Sequence, residues 1–259
     1  FKRLNAKVTY ELLARYIPAE DWHFMNYGYI PGDGETQLVL PDERLKLQEY
    51  SLQMYHYLAS KTDVRGKRVL EVGSGRGGGA RYIAQYMAPA SYIGVDIAQH
   101  AVTLANKLHQ LPNLNFVQGS AEALPADAAS VDVVINVESC HGYGSVPKFL
   151  SEVKRVLKPG GLLLLVDFRN SVENMKIFKQ QLAESKLRLL EEEDISTRVV
   201  QAIEMEDDAK RERIERLIPR KFHKLFCEFA GVAGSKFHQT LKAGKRPYYR
   251  FVLQKPGVN

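Results

Sequence analysis

The chain has 259 residues, 45% of them apolar and 25% charged, and carries a formal charge of +6. This composition excludes a disordered, collagen-like or low-complexity chain and leaves room for one α/β domain with an added element. Its two cysteines, Cys140 and Cys227, suit free thiols in a reducing compartment, and its longest aliphatic stretch, Leu162 to Val166, falls well short of the roughly eighteen residues that span a bilayer.

The charge is unevenly placed, because from residue 210 onward thirteen Lys and Arg face three Glu, a net +10 that leaves −4 for the rest. Such a segment can meet nucleic-acid phosphates, anionic lipid head groups or an acidic substrate, or it can be a solvated face.

In chain order, Leu4, Val8, Leu12 and Tyr16 recur at helical spacing and predict a helix that stops at Pro18. An aromatic-rich stretch, Trp22 to Ile30, ends in the turn Pro31-Gly32-Asp33-Gly34. Asp42 is placed to cap a helix running to about Ser60, with Leu45, Leu52, Tyr55 and Ala59 on one face. Residues 1–62 therefore read as an N-terminal helical arm.

The run Val69-Leu70-Glu71-Val72 then breaks into Gly73, Gly75, Gly77, Gly78 and Gly79 ahead of a helix over Ala80 to Met87. A glycine turn between a strand and a helix N-terminus is a cradle for a polar or anionic group, since a Cβ would keep the ligand off the backbone N–H groups. Gly73, Gly75 and Gly78 also satisfy G-x-G-x-x-G, a weak signal alone. Further on, Tyr92 to Val95 is a strand ending in Asp96, whose carboxylate can accept from two ribose hydroxyls of either a nicotinamide cofactor or S-adenosylmethionine. A helix over His100 to Leu108, strands at Phe116-Val117 and Val131 to Asn136, a helix over Val146 to Leu157 and a strand from Leu162 to Val166 complete the alternation. It predicts right-handed βαβ units and a parallel sheet whose ligands bind outside the carboxyl ends of the strands. Glu71, Gly73, Asp96, Asn136, Glu138, His141 and Asp167 should converge on that rim.

Between about residues 65 and 170 these motifs, with Ser120-Ala121-Glu122 and Lys158-Pro159-Gly160-Gly161, resemble a class I S-adenosylmethionine-dependent methyltransferase. The resemblance implies an α/β, seven-stranded Rossmann-like sheet with its last strand antiparallel, S-adenosylmethionine as cofactor and S-adenosylhomocysteine as product. It implies that Glu71, Gly73, Gly75 and Gly77 hold the methionine end, and that Asp96, followed by Ile97, holds the ribose. Ser120, Ala121 and Glu122 would flank the adenine, and Asn136 would end its strand beside the reacting methyl. Tyr27-Gly28-Tyr29 is similar to the G-Y-W element that closes over cofactor and acceptor in many small-molecule methyltransferases, with Ile30 in place of the tryptophan. Tyr27, Tyr29 and Tyr143 are the expected substrate contacts.

Beyond Asn170 the pattern predicts helices over Val172 to Leu189 and Asp194 through Ile214, and a third after Pro219 carrying Phe222, Leu225, Phe226 and Phe229 on one face. Short strands near Ser235 to Leu241 and Tyr248 to Gln254 read as a terminal hairpin. The expected organisation is thus a cofactor-binding core over 63–170, a helical substrate lid over 171–234 inserted after strand 5, and a hairpin over 235–259 that completes the sheet.

A sulfonium methyl is already activated, so the protein must align the acceptor, exclude water and, for a hydroxyl, remove a proton. His141 is the expected base or acceptor-orienting group and Glu138 the alternative; no metal site is expected from the Cys and His spacing. The segments Glu71–Ala80, Pro89–Asp96, Leu111–Gly119 and Asn136–Tyr143 resemble bacterial O-methyltransferases of the phthiotriol type, which act on long-chain lipid alcohols, with Ser120 standing where relatives often carry Asp. The expectation is methyl transfer to a hydroxyl of a hydrophobic small molecule or lipid, in a cytoplasmic protein that touches anionic membrane through its basic C-terminal segment. C- or N-methylation of a sterol-like or amine acceptor, methylation of RNA or protein, a scaffold without turnover and a nicotinamide enzyme stand as alternatives, in that order.

Overall fold

The apolar runs pair into one seven-stranded sheet. In the computed structural model, which describes residues 24–35, 38 and 48–257, the strands are β1 (Arg68–Val72), β2 (Ser91–Asp96), β3 (Leu114–Gln118), β4 (Val131–Val137), β5 (Leu157–Phe168), β6 (Arg188–Asp194) and β7 (Tyr248–Gln254). Their order is β3-β2-β1-β4-β5-β7-β6. The first five pair in parallel, and β7 runs antiparallel to both β5 and β6. The predicted helix over residues 1–17 and the Asp42 cap lie outside the described residues.

Helices cover both faces of the sheet: α1 (Glu49–Ala59), ahead of the first strand, and then α2 (Gly78–Tyr86), α3 (Gln99–Leu108), α4 (Val146–Val156) and α5 (Val172–Glu184). Side chains alternate along a strand, so Leu164 and Val166 join Val69, Val133 and Ile135 in one core while Leu163 and Leu165 join Leu70 and Val134 in the other. A sheet buried on both faces needs apolar residues in both registers, which is why these strands read as nearly unbroken apolar runs. In α4, the Ser145 side chain caps the first turn by accepting from the Lys148 N–H, and Phe149, Leu150, Val153 and Val156 form the buried stripe.

Three expectations fail in the last third, one of them the single helix from Asp194 through Ile214, which breaks at Glu206 into two. The segment predicted as one helix to Leu189 ends at Glu184, and the Leu- and Glu-rich stretch from Arg188 becomes β6. Its helical propensity yields to pairing with β7, and its mostly exposed charged residues suit an edge strand. The stretch from Ser235 to Leu241 is a helix rather than a strand. Ser235 caps it by accepting from the His238 N–H, and Phe237, His238 and Leu241 are buried at helical spacing. The terminal hairpin is therefore replaced by a split pair, β6 and β7, and the helical segment leaves the sheet after β6. It comprises α6 (Ser196–Met205), α7 (Asp207–Leu217), a short 3-10 turn (Arg220–Phe222), α8 (His223–Ala230) and α9 (Lys236–Lys242).

The basic C-terminal stretch does not form one patch. Lys210 pairs with Glu206, Arg211 with Asp207, Lys242 with Glu204, and Arg250 with both Glu191 and Glu193; Lys210, Arg213 and Arg250 are buried. Arg220, Lys221 and Lys224 remain exposed beside α8. No described helix is long and apolar enough to cross a membrane.

Candidate active site

The sheet order reverses between β1 and β4, and a cavity of about 540 Å³ opens beyond the carboxyl ends of the strands there. Gly73 leaves β1 at φ +82°, and a Cβ on it would lie 2.1 Å from Ser139 Oγ. Gly75, at φ +53°, has open space where a Cβ would stand. The first glycine is demanded by close packing of the loop after β4; the second keeps the backbone bare toward the cavity. Asp96, at the end of β2, accepts from the Gly75 N–H at 2.8 Å and the Ala98 N–H at 2.9 Å. A carboxylate so anchored still has lone pairs for two hydroxyls. Ile97, Ser120, Ala121 and Glu122 line the far side of the cavity, and Glu122 Oε1 also accepts from the Ser145 N–H.

Glu71 sits beneath the glycine turn rather than in the cavity wall. It is fully buried and accepts from Tyr55 and Tyr92 hydroxyls at 2.7 and 3.0 Å. Burial pushes its carboxyl up to about 7 against the pull of those two donors. Gly77, at φ +80°, is the N-cap of α2, also behind the wall. Asn136 is fully buried; its Nδ2 donates to the Val72 carbonyl, to Ser139 Oγ and to Tyr143 Oη at 2.8, 2.9 and 3.0 Å, which ties the loop after β4 to the glycine turn. Its Oδ1 is buried with no partner among the described residues. Tyr143 lines the cavity, with its hydroxyl held in this cluster.

His141 occupies a 3-10 turn just beyond β4 and borders a second cavity of about 320 Å³ as well as the first. Its Nδ1 donates to Asp167 Oδ1 and its backbone N–H to Oδ2, both at 2.8 Å. Asp167, at the end of β5, is completely buried and also accepts from Cys140 Sγ and the Phe168 N–H, with Arg169 at 3.2 Å. Burial opposes its charge, yet His141 and Arg169 hold the carboxyl well below the usual range. An ionised Asp167 fixes the proton of His141 on Nδ1 and leaves Nε2 as the acceptor. The rim position of Asp167 did not by itself specify this contact with His141; the signal in the sequence was an acid at the end of a strand.

Glu138 borders both cavities and has a left-handed backbone, φ +45°, that side chains rarely adopt. Its Oε1 accepts from the Tyr27 N–H at 2.7 Å and the Tyr248 hydroxyl at 2.5 Å. Burial pushes the carboxyl up to about 8, with those donors pulling against it.

The second cavity is walled by Tyr27, Phe168, Phe229 and Phe237, with Lys236, Glu228 and Arg246. Tyr27 stacks on Phe237 with ring centroids 3.8 Å apart. Tyr29 borders neither of these cavities: it is buried, stacks on Tyr57 and donates to Glu35. Phe24, Met25, Asn26 and Phe229 also line the first cavity, contributions that no local motif announced. No group of His, Cys, Asp and Glu among the described residues could hold a metal ion.

A methyltransferase-domain family model matches residues 70–165. Over 247 residues, 95% of this chain and 90% of the relative, the sequence is 35% identical to the phthiotriol/phenolphthiotriol dimycocerosates methyltransferase of Mycobacterium leprae (strain TN). The chain belongs to the class I S-adenosylmethionine-dependent methyltransferases. This methyltransferase is also 34% identical over 262 residues, 98% of its own length and 93% of the relative, to a fatty-acid O-methyltransferase of Mycolicibacterium smegmatis. Among solved structures, the [4+2]-cyclase SpnF matches with a TM-score of 0.74 at 19% identity, covering 98% of this chain and 96% of its own. Geranyl diphosphate C-methyltransferase from Streptomyces coelicolor A3(2) matches with a TM-score of 0.68 at 14% identity, covering 98% of each chain. Likeness at those identities is one of fold, and a fold by itself names no reaction.

The cavity residues fit S-adenosylmethionine. The bare backbone at Gly75 gives a ligand close approach, and the anchored Asp96 offers it a hydroxyl acceptor, along one wall.

Proposed function

We propose that this methyltransferase transfers a methyl group to a hydroxyl of a hydrophobic small molecule or lipid, with S-adenosylhomocysteine as the second product. One observation carries the reading: His141, its Nδ1 committed to buried Asp167, stands where the cofactor-sized cavity meets an aromatic one. S-adenosylmethionine supplies a methyl already activated on a sulfonium sulfur. Gly73 and Gly75 take its amino-acid end, Asp96 and Ile97 its ribose, and Ser120 to Glu122 its adenine, while Glu71, Gly77 and Asn136 hold those segments in place. Tyr27, Phe168 and Phe237 exclude water from the acceptor side and set the hydroxyl in line with the methyl. His141 Nε2 takes the hydroxyl proton, and Asp167 stabilises the resulting imidazolium. Glu138 ties the N-terminal segment to β7 through Tyr27 and Tyr248, which makes it a positioning residue.

The names of the two relatives, one acting on dimycocerosates and one on fatty acids, support an acyl-chain acceptor. The core over 63–170 binds the cofactor, and the helices of residues 195–247 form the lid over the acceptor. Phe222 in the 3-10 turn and Leu225 and Phe229 on α8 are exposed beside Arg220, Lys221 and Lys224, a face suited to anionic membrane from which such an acceptor is drawn. The test is to incubate the protein with methyl-deuterated S-adenosylmethionine and an extract of its native cell, then follow the label by mass spectrometry. Label on oxygen in the organic-soluble fraction supports the reading. Label confined to RNA or protein, or carried on carbon or nitrogen, overturns it.

A further inference from the structure

The acceptor cavity holds a charge that the proton-transfer pair does not use. Arg246 lines it, with its guanidinium carbon 4.8 Å from the centroid of Phe237 and 5.4 Å from that of Phe168. Its Nη1 donates to Asn170 Oδ1 at 2.6 Å and its Nε to Thr240 Oγ1 at 3.1 Å, both neutral acceptors. No carboxylate among the described residues forms an ion pair with it, whereas the buried guanidiniums of Arg169 and Arg250 are each matched, by Asp167 and by Glu191 and Glu193. A guanidinium has five donors, and those two bonds leave most of them unused. Burial accordingly pulls Arg246 below the usual arginine range. A cation partly removed from water without a counter-charge is costly, and the cost is recovered when a ligand brings the opposite charge.

The surroundings choose the ligand's sign. Lys236 adds a second cation to the cavity. Against them stand Glu228, whose Oε2 accepts from the Lys236 backbone N–H, and Glu138, whose carboxyl burial pushes up to about 8 and so disfavours its charge. An aromatic box of this kind could cage an ammonium acceptor, but here Arg246 already lies against the Phe168 and Phe237 rings. His141 packs on the same Phe168 ring, at 4.3 Å between centroids, so the imidazole and the guanidinium border one cavity around a shared ring.

We propose that Arg246 and Lys236 form an anion subsite in the acceptor cavity, and that the acceptor is an acyl chain bearing a carboxylate close to the oxygen that is methylated. This rests on the oxygen-acceptor reading and narrows its substrate class. The test measures binding of 3-hydroxydecanoate and of the neutral 1,3-decanediol to the protein saturated with S-adenosylhomocysteine, by calorimetry, for wild type, Arg246→Gln, Arg246→Lys and Lys236→Gln. Wild type should bind the hydroxy acid at least tenfold more tightly than the diol, as expected of charge-assisted hydrogen bonds. Arg246→Gln should erase that preference by weakening the acid roughly ten- to a hundredfold while leaving the diol unchanged. Arg246→Lys should keep part of it, because a point charge replaces the fork, and Lys236→Gln, on an exposed side chain, should reduce it without loss of fold. Equal affinity of wild type for acid and diol overturns the proposal. So does an Arg246→Gln variant that weakens both ligands alike and melts earlier, which would mark a structural arginine, or Arg246→Lys and Lys236→Gln variants that keep the full preference. If the charge preference and its loss are found but no methyl reaches any lipid oxygen, the subsite stands and the proposed function fails; equal methylation of both ligands by wild type and Arg246→Gln gives the reverse.

Discussion

Replacing Asp167 by Asn keeps the side-chain shape and removes one oxygen and one charge. In the native protein the two oxygens accept from the His141 Nδ1–H, the His141 and Phe168 backbone N–H groups and Cys140 Sγ, with Arg169 alongside. An amide can offer only one oxygen to these donors. With its NH2 toward His141, the imidazole must switch tautomer, so that Nε2 carries a proton and cannot take one. With its NH2 on the other side, that group faces the His141 backbone N–H and Arg169, and in either orientation buried Arg169 loses its counter-charge. Breaking a buried pair costs about 3–5 kcal/mol, and losing a general base lowers turnover by roughly 10²- to 10⁴-fold. Asp167→Asn should therefore show both effects in urea unfolding and in methyl transfer to a hydroxyl, whereas His141→Ala should lower turnover comparably with a smaller loss of stability. Since Asp167 acts on the chemistry through His141, the double variant should turn over no more slowly than His141→Ala alone. Multiplicative losses, or an unstable Asp167→Asn with undiminished turnover, would refute the orienting role and leave Asp167 as the partner of Arg169.

Asp96→Ala removes the acceptor anchored at the glycine turn and should weaken S-adenosylhomocysteine binding about a hundredfold by calorimetry, while His141→Ala stays within a few fold of wild type. Glu138 carries a proton in the folded protein up to about pH 8 that the unfolded chain releases near its ordinary value, so its contribution is fully present below about pH 4.5 and is lost as pH rises toward 8 and beyond. Glu138→Gln should flatten the fall of unfolding free energy between pH 5 and 8.5; Glu71, pushed up in the same direction, leaves a residual slope, and an unchanged profile would mean that Glu138 is ionised in the fold. Leu225→Glu combined with Lys224→Glu should abolish co-sedimentation with vesicles rich in anionic lipid and leave cofactor affinity intact, and retention of vesicle binding would remove α8 from the membrane contact.

Much of the core was legible because its signals are local. Apolar runs in both registers mean a sheet covered on both faces, and a glycine turn followed by a strand ending in Asp96 marks a cofactor rim. The last third was less so. Arg188 to Asp194 carries Leu and Glu that favour a helix in isolation, and only the vacant edge of β7, far along the chain, makes it a strand. The segment from Ser235 carries a capping serine and the helical spacing of Phe237 and Leu241, but a seven-residue element is too short for periodicity to tell helix from strand. The expected basic tail dissolves once folding brings Glu191, Glu193, Glu204, Glu206 and Asp207 against it.

The sequence by itself determined the family, the parallel half of the sheet and the rim on which Asp96, Glu138 and His141 meet, since those follow from short motifs whose spacing is set by strand and turn geometry. Only the tertiary structure decided that Glu71, Gly77 and Tyr29 stand behind the cavities, that Asp167 hydrogen-bonds His141, and that Arg246 lies among aromatic rings with no ion pair among the described residues. Those relations join residues far apart in the chain through burial and charge compensation, which no local pattern encodes.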